Sequence, residues 1–178
     1  MKDLKQWWNT LSINYKAIFS IRHYILEIIE LKHKADEKTR AKIENIEQYF
    51  IKDKYLSNEL WWNLEDFQTA ILELANYIND NDTILNGFIN PSEDILKEII
   101  KQKVCGASFF KLKDLSAFTV FEELEDLALN NCNIKSIEEL SHLKHLKLLN
   151  LEHNHIENID DVKNFKDLVW LGISNNKI

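Results

Sequence analysis

The stretch that decides the fold is LEDLALNNCNIKSIEELSHLKH at 124–145, followed directly by LKLLNLEHNHIENIDDVKNFKD at 146–167. The two segments have the same length, and their apolar residues superimpose when one is written under the other. A third segment, LVWLGISNNKI at 168–178, begins in the same way. This internal repetition predicts a stacked architecture, in which each unit buries its apolar side against the next one.

Each repeat contains two periodicities. The opening L-x-x-L-x-L has a period of two, which predicts a short strand with one buried face. The remainder has apolar residues about every three positions, which predicts a short helix or 3₁₀ turn. The ninth position is Cys132, Asn154 or Asn176. An asparagine in the bend there can satisfy backbone groups that would otherwise be buried without partners, whereas a cysteine can do so only weakly.

The pattern L-x-x-L-x-L-x-x-N/C-x-I resembles the leucine-rich repeat family, in its internalin-like class. A degenerate copy, QKVCGASFFKLKDLSAFTVFEE, starts at residue 102, with Gln102 and Phe110 departing from the pattern. The resemblance thus covers 102–178, about three and a half repeats, of which the first is degenerate and the last truncated. It implies a solenoid with a parallel sheet on its concave face, and protein partners that bind there.

Residues 1–101 have helical periodicity instead. Apolar residues spaced three and four apart predict helices over 12–31, 36–51 and 58–79. We therefore expect an α+β fold, in which a helical N-terminal domain (1–101) caps a short leucine-rich repeat solenoid (102–178).

A fourth helix has a distinct start signal. Asn90 is expected to be the N-cap, with Pro91 at the first helical position and Glu93 completing a capping box. No strand is predicted before residue 100. Because 101–104 contains no glycine, proline or serine, we expect the helical domain and the repeats to share one continuous core.

Two tryptophan pairs stand out in the helical part, Trp7-Trp8-Asn9 and Trp61-Trp62-Asn63. Either they form an exposed aromatic ligand site or they hold the helices together, and the second interpretation is favoured because each ring can bury a large apolar area. Neighbouring helical residues point about 100° apart, so one ring of each pair is expected to stay partly exposed. The segment 8–19, W-x-x-L-x-x-x-x-K-x-x-F in form, also resembles the start of some bacterial leucine-rich repeat proteins.

Composition excludes several classes of function. A net charge of −7 without a basic tail argues against nucleic-acid binding. The sequence has no run of 18 apolar residues, which argues against a membrane span, and no clean signal peptide, so a cytoplasmic location is expected. Two cysteines fit a reducing compartment. With three glycines and no phosphate-loop or hydrolase motif, the common enzyme signatures are missing.

The sequence contains only weak signals for catalysis or metal binding. The histidines of the repeats form two pairs at different phases of the repeat, which argues against a zinc site. Both cysteines occupy inward positions, where thiols are usually inert. Acidic pairs lie in the variable part of the repeats and are expected to be solvated. We expect no catalytic residue, no metal and no cofactor. The residues considered are His142, His145, His153, His155, Cys105, Cys132, Glu138, Glu139, Asp160 and Asp161.

The strand positions between the buried leucines carry the functional signal. By phase they stack into three columns on the concave face, which are Val104, Asp126, Leu148 and Trp170, then Gly106, Ala128, Asn150 and Gly172, then Ser108, Asn130, Glu152 and Ser174. Small residues beside an aromatic ring are expected to form a shallow groove that suits a partner's side chain. The residues expected to bind the partner are Asp126, Asn130, Leu148, Asn150, Glu152, Trp170 and Ser174.

The sequence therefore predicts a non-enzymatic module that binds a protein partner. The alternative is a regulatory subunit, or a fragment of a larger effector or enzyme whose catalytic part lies in another chain or region. A small enzyme housed in the helical domain is a third, weaker hypothesis. The strand at 168–173 has no following repeat in the sequence, so we also expect that the natural chain continues or that a homo-oligomer forms through this edge.

Overall fold

A computed structural model of the protein describes residues 3–52 and 65–178. The chain divides into two compact units, Leu4–Leu96 and Lys97–Ile178. The first is helical and the second contains a four-stranded parallel sheet with short 3₁₀ segments, so the structure is of the α+β class.

The described part of the first unit is built almost entirely from helices. Helix α4 confirms the prediction over 36–51, and it begins where the Asp36 carboxylate accepts hydrogen bonds from the peptide N–H groups of Lys38 and Thr39, each at 2.9 Å. Helix α5 agrees with the C-terminal part of the prediction over 58–79, whose first seven residues lie outside the described ranges. The α-helices are α1 (Leu4–Thr10), α2 (Ile13–Lys16), α3 (Ile25–Leu31), α4 (Glu37–Lys52), α5 (Glu65–Asn81), α6 (Asn86–Ile89) and α7 (Glu93–Ile100).

The single helix predicted over 12–31 is interrupted. Helix α2 passes into a π-helical turn, Ala17–Ile21, and α3 starts only after Tyr24, whose φ of −99° and ψ of 19° are not helical. Every residue of the π turn is buried. The wider turn thereby places five consecutive side chains in the interior, which a regular amphipathic helix does not do.

The start of α7 differs from the prediction. Asn90 is not its N-cap, because the Asn90 peptide N–H closes α6 by donating to the carbonyl of Asn86 at 2.8 Å. The helix begins two residues later, where the peptide N–H of Ile95 donates to the hydroxyl oxygen of Ser92. Pro91 consequently precedes the cap, and Glu93 stands in the first turn instead of completing a capping box.

One tryptophan of the first pair is a core residue. Trp8 is buried, and its indole N–H donates to the carbonyl of Ile89 at 2.8 Å. Trp7 is half-buried and stacks on the ring of Phe19, with ring centroids 5.9 Å apart. The expected difference between the two rings is therefore confirmed for this pair, and they join segments of the helical unit. The second pair, at 61–62, lies outside the described residues.

The second unit contains one strand per repeat. The strands are β1 (Val104–Gly106), β2 (Asp126–Ala128), β3 (Leu148–Asn150) and β4 (Trp170–Gly172), and they pair in parallel in chain order. The register joins residues one repeat apart, so Asp126 pairs with Leu148 and Leu148 with Trp170. The 3₁₀ segments Ser116–Val120, Glu138–Leu140 and Asp160–Asn164 follow the first three strands. The predicted strand phase and the turn-forming remainder of each repeat are thus confirmed.

Apolar side chains at the inward positions form the core of the repeats. Full burial of such a side chain contributes about 1.5–3 kcal/mol. The departing residue of the first repeat, Phe110, is also buried, so an aromatic ring fills the place that Cys132 and Asn154 occupy later. The fully buried inward residues include Leu127, Leu129, Leu140, Leu143, Leu146, Leu149, Leu151 and Ile156.

The ninth-position asparagine connects successive turns. The side-chain oxygen of Asn154 accepts from the peptide N–H groups of Cys132 and Ile134, each at 3.0 Å. Its amide donates to the carbonyls of Leu129 and Leu151, at 2.8 and 2.9 Å. One buried side chain therefore satisfies peptide groups of its own turn and of the preceding one.

Cys132 does less at the equivalent position. Its thiol lies 3.0 Å from the carbonyl oxygen of Ala107 and 3.4 Å from that of Asn130. A thiol is a weak donor with no counterpart to the amide oxygen, so it cannot reproduce the bonds that Asn154 makes.

A left-handed residue recurs just before each ninth position. Asn131, His153 and Asn175 have φ of 57°, 55° and 58°, and Phe109 has φ of 67° in the degenerate repeat. Asparagine tolerates this conformation better than other non-glycine residues do. The left-handed conformation thus recurs at this position with three different side chains, and the turn at Asn131 has a second left-handed residue, Asn133, with φ of 61°.

We expect Asn154→Ala to lower the free energy of unfolding by about 3 kcal/mol or more, because it leaves several buried peptide groups without partners. Asn164→Ala is the matched control, since among the described residues the Asn164 amide makes a single long contact, at 3.4 Å with the Asp161 carboxylate. The control should change stability by less than about 0.5 kcal/mol. Urea denaturation of both variants measures the difference, and equal stabilities would contradict the assigned role of Asn154.

Candidate protein-binding face

The outward residues of the four strands form one continuous face of the sheet. The first column contains Val104, Asp126, Leu148 and Trp170, and the second contains Gly106, Ala128, Asn150 and Gly172. Both columns were predicted from the phase of the repeat, and the register confirms them. The first column exposes an unusual amount of apolar surface, because Val104 is 63% exposed, Leu148 38% and Trp170 46%.

The third predicted column continues the face beyond the strand ends. The peptide N–H of Asn131 donates to the carbonyl of Glu152 at 3.1 Å, and that of His153 to the carbonyl of Ser174 at 2.9 Å. Ser108 is buried and its hydroxyl donates to the side-chain oxygen of Asn130. The residues of this column therefore stay aligned between repeats, although Ser108 offers no surface for a partner.

The indole of Trp170 lies over Gly172 in its own strand. A Cβ atom placed on Gly172 would be 2.5 Å from Cη2 and 3.2 Å from Cζ2 of the ring. Gly172 is consequently buried although it faces outward. The expected groove of small residues is therefore filled at this end by the protein's own ring, and Asn150 interrupts it one strand earlier.

Glu152 approaches the same place from the neighbouring repeat. Its Cγ would lie 3.2 Å from a Cβ on Gly172. Its peptide N–H donates to the side-chain oxygen of Asn150 at 3.0 Å, which fixes the backbone there. Of the seven residues expected to bind a partner, the structure thus brings Trp170 and Glu152 together at Gly172, with Leu148 and Asn150 on the adjacent strand.

A row of charges precedes the strands, and the sequence analysis missed it. The Glu125 carboxylate accepts from the ammonium groups of Lys103, at 2.6 Å, and Lys147. Each lysine is one repeat away from Glu125. Charged residues that recur at the same position of successive repeats were therefore the sequence signal that could have predicted this row. Hydrogen bonds from Lys103 and Lys147 lower the pKa of Glu125 from 4.5 to about 2. The next position of the row is Val169, which is 82% exposed.

The histidines are spread over separate surroundings. The ring nitrogens of His142 contact the carbonyls of Glu139 and Phe121, at 3.1 and 3.0 Å. His145 contacts the Asp167 carboxylate at 3.2 Å, and His153 contacts the amide of Asn175 at 3.2 Å. In the part of the chain that the structure describes, no three His, Cys, Asp or Glu side chains are grouped so that they could hold a metal ion.

The cysteines and acidic residues that were considered for catalysis lie in the core or on the surface of the repeats. Cys105 and Cys132 are both buried, and no disulfide joins them. Glu139 is exposed, but its carboxylate accepts from the peptide N–H of Leu115 at 2.6 Å and so links two repeats. Glu138 and Asp160 are exposed, which agrees with a solvated acidic surface. Across residues 3–52 and 65–178, no helix combines the length and apolar character needed to cross a bilayer.

Comparison with known families identifies the repeats. Residues 122–164 match the family model described as leucine rich repeats (2 copies). The matched range covers the first full repeat, 124–145, and the second, 146–167, as far as residue 164, which supports the leucine-rich repeat interpretation of this part of the chain. No curated protein gives a significant match to the chain.

We expect the Glu125 carboxyl to titrate near pH 2 in the folded protein, against an ordinary value of 4.5. The lowered pKa means that its ion pairs stabilise the fold above pH 4.5, and that this contribution is lost as the pH falls toward 2. Carbon-detected NMR of the side-chain carboxyl measures the midpoint. Lys147→Gln should raise it, whereas the exposed control Lys135→Gln should not; a midpoint near 4.5 in the unsubstituted protein would contradict the ion-pair row.

Proposed function

We propose that this protein is a non-enzymatic interaction module that binds a protein partner through the concave face of its leucine-rich repeats. The observation that carries the proposal is the column in which Leu148 and Trp170 pair side by side and both remain exposed. Strands in a sheet are about 4.8 Å apart, so the two side chains form one apolar patch. Leucine-rich repeats generally mediate protein–protein interactions, which supports the proposal.

The surroundings of the patch resemble those of a protein interface. Large apolar and aromatic side chains at the centre, with polar groups at the margin, are typical of such surfaces. Asn150 and Glu152 border the patch on the side of the strand ends, and Asp126 adjoins Leu148 on the preceding strand. Asn130 and Ser174 continue this margin. These residues position a partner and exclude water around the apolar contact.

Trp170→Ala should weaken binding of the partner at least tenfold, because truncating a tryptophan anchor costs about 2 kcal/mol or more. The fold should tolerate the change, since the ring lies on the outward side of the strand; we expect a loss of unfolding free energy below about 1.5 kcal/mol. The measurement is a quantitative pull-down from the native host, combined with thermal denaturation of the purified variant.

Two further variants make the result specific. Leu26→Ala removes an exposed apolar side chain of comparable accessibility in the helical unit and should leave binding unchanged. Gly172→Ala adds a Cβ into the space of the indole and should displace the ring without removing it, which we expect to weaken binding by a smaller factor. If Leu26→Ala reduces capture and Trp170→Ala does not, the partner binds the helical unit and the concave-face proposal is wrong.

A further inference from the structure

We infer that the concave face recognises an arginine of its partner, held between the indole of Trp170 and the carboxylate of Glu152. The inference rests on the proposed function and specifies the chemistry of the partner. The arginine would sit beside an apolar residue that contacts Leu148. The occupant is thus a partner segment in which a basic side chain neighbours an apolar one.

The geometry places an aromatic face and an acid side by side. The ring of Trp170 and the Cγ of Glu152 both come within 3.2 Å of the position a Cβ on Gly172 would take. The two side chains therefore flank one small area of the sheet, and the absence of a side chain on Gly172 makes room for both. Trp170 still exposes 46% of its surface, so one side of the ring remains accessible.

The negative charge of Glu152 lies on a face that has no basic side chain of its own. Among the described residues, Glu152 forms no ion pair, in contrast to Glu125, which binds two lysines. The three outward columns, which include Asp126 and Glu152, contain no lysine or arginine. The chain as a whole carries a net charge of −7. A basic group from outside is the complement of this surface.

Arginine can interact with both side chains of this pair, the indole of Trp170 and the carboxylate of Glu152. Its planar guanidinium stacks on an aromatic face and at the same time offers N–H donors to a carboxylate. Lysine would gain the charge interaction but not the planar stacking. An uncharged side chain of the same shape would lose both the cation–π attraction and the ion pair.

The test uses two capped heptapeptides as probes, one with an arginine between two leucines and one with citrulline in place of that arginine. Citrulline keeps the planar shape but has no charge. Each peptide is titrated into the full chain while the indole N–H resonance of Trp170 is followed by NMR, the resonance being assigned with Trp170→Phe. We expect the arginine peptide to bind at least fivefold more tightly than the citrulline peptide, and to shift this resonance.

Glu152→Gln should reduce that preference to about twofold or less, and Glu157→Gln, which removes an exposed carboxylate of the same repeat, should preserve it. Equal affinities of the two peptides, an unshifted Trp170 resonance, absence of binding, or a preference that survives Glu152→Gln would each overturn the inference.

The outcome is separable from that of the proposed function. If Trp170→Ala abolishes capture of the native partner but arginine and citrulline peptides bind equally, the concave face binds a partner by other chemistry. If the arginine preference holds but Trp170→Ala leaves capture of the native partner unchanged, Trp170 and Glu152 bind arginine and the proposed function is wrong.

Discussion

Each repeat reverses direction in a turn, and peptide groups of this turn are buried inside the stack, where they cannot form hydrogen bonds with water. A buried peptide group without a partner costs about 1–3 kcal/mol, so a side chain that supplies the missing bonds stabilises the turn. Asn154 does so for its own turn and the preceding one, and Asn176 repeats the arrangement by accepting from the peptide N–H of Ile156 and donating to the carbonyl of Leu151. The bridge joins the ends of two successive strands, and β1 and β2 pair in the same register with only the weaker thiol contacts of Cys132 at this position.

The surface chemistry follows from the same constraint. Successive strands pair in register, so residues at the same position of neighbouring repeats lie side by side. A column of the sheet face therefore consists of residues at a constant interval in the sequence. Trp170 therefore lies near Glu152 and Leu148, which belong to the preceding repeat. A lysine at one phase and a glutamate one repeat later become an ion pair for the same reason.

The repeat made much of the second unit predictable. An unbroken interval of apolar residues determines the strand phase, and the phase determines which residues face outward; the exposure of Trp170 and Leu148 follows directly. Contacts that depend on a side-chain rotamer do not follow from phase, so the stacking of the indole on Gly172 was missed and a groove was expected instead. The Lys103–Glu125–Lys147 row was missed because it occupies the second position of the repeat, which an alignment of apolar residues leaves unassigned.

The helical unit was less predictable because its signals are local and compete. Asn90 and Ser92 are both good N-cap residues, and the choice between them was decided by α6, which uses Asn90 for its own end. Likewise, the mostly apolar segment 17–21 fits a helix by composition, but only packing determines that the turn widens so that all five residues are buried.

The bonds between repeats join residues only 20 to 25 positions apart in the chain, as for Asn154 with Ile134 and with Leu129. Each repeat in this unit is consequently stabilised by the repeats next to it. Folding can proceed by adding one repeat to a repeat already formed, so chain entropy is lost in small steps and no contact between distant parts of the sequence has to be found first. The same property makes a whole repeat the natural quantity to gain or lose in evolution, because a block inserted at a repeat boundary recreates the junctions on both sides, whereas a single inserted residue shifts every bond that follows it within the repeat.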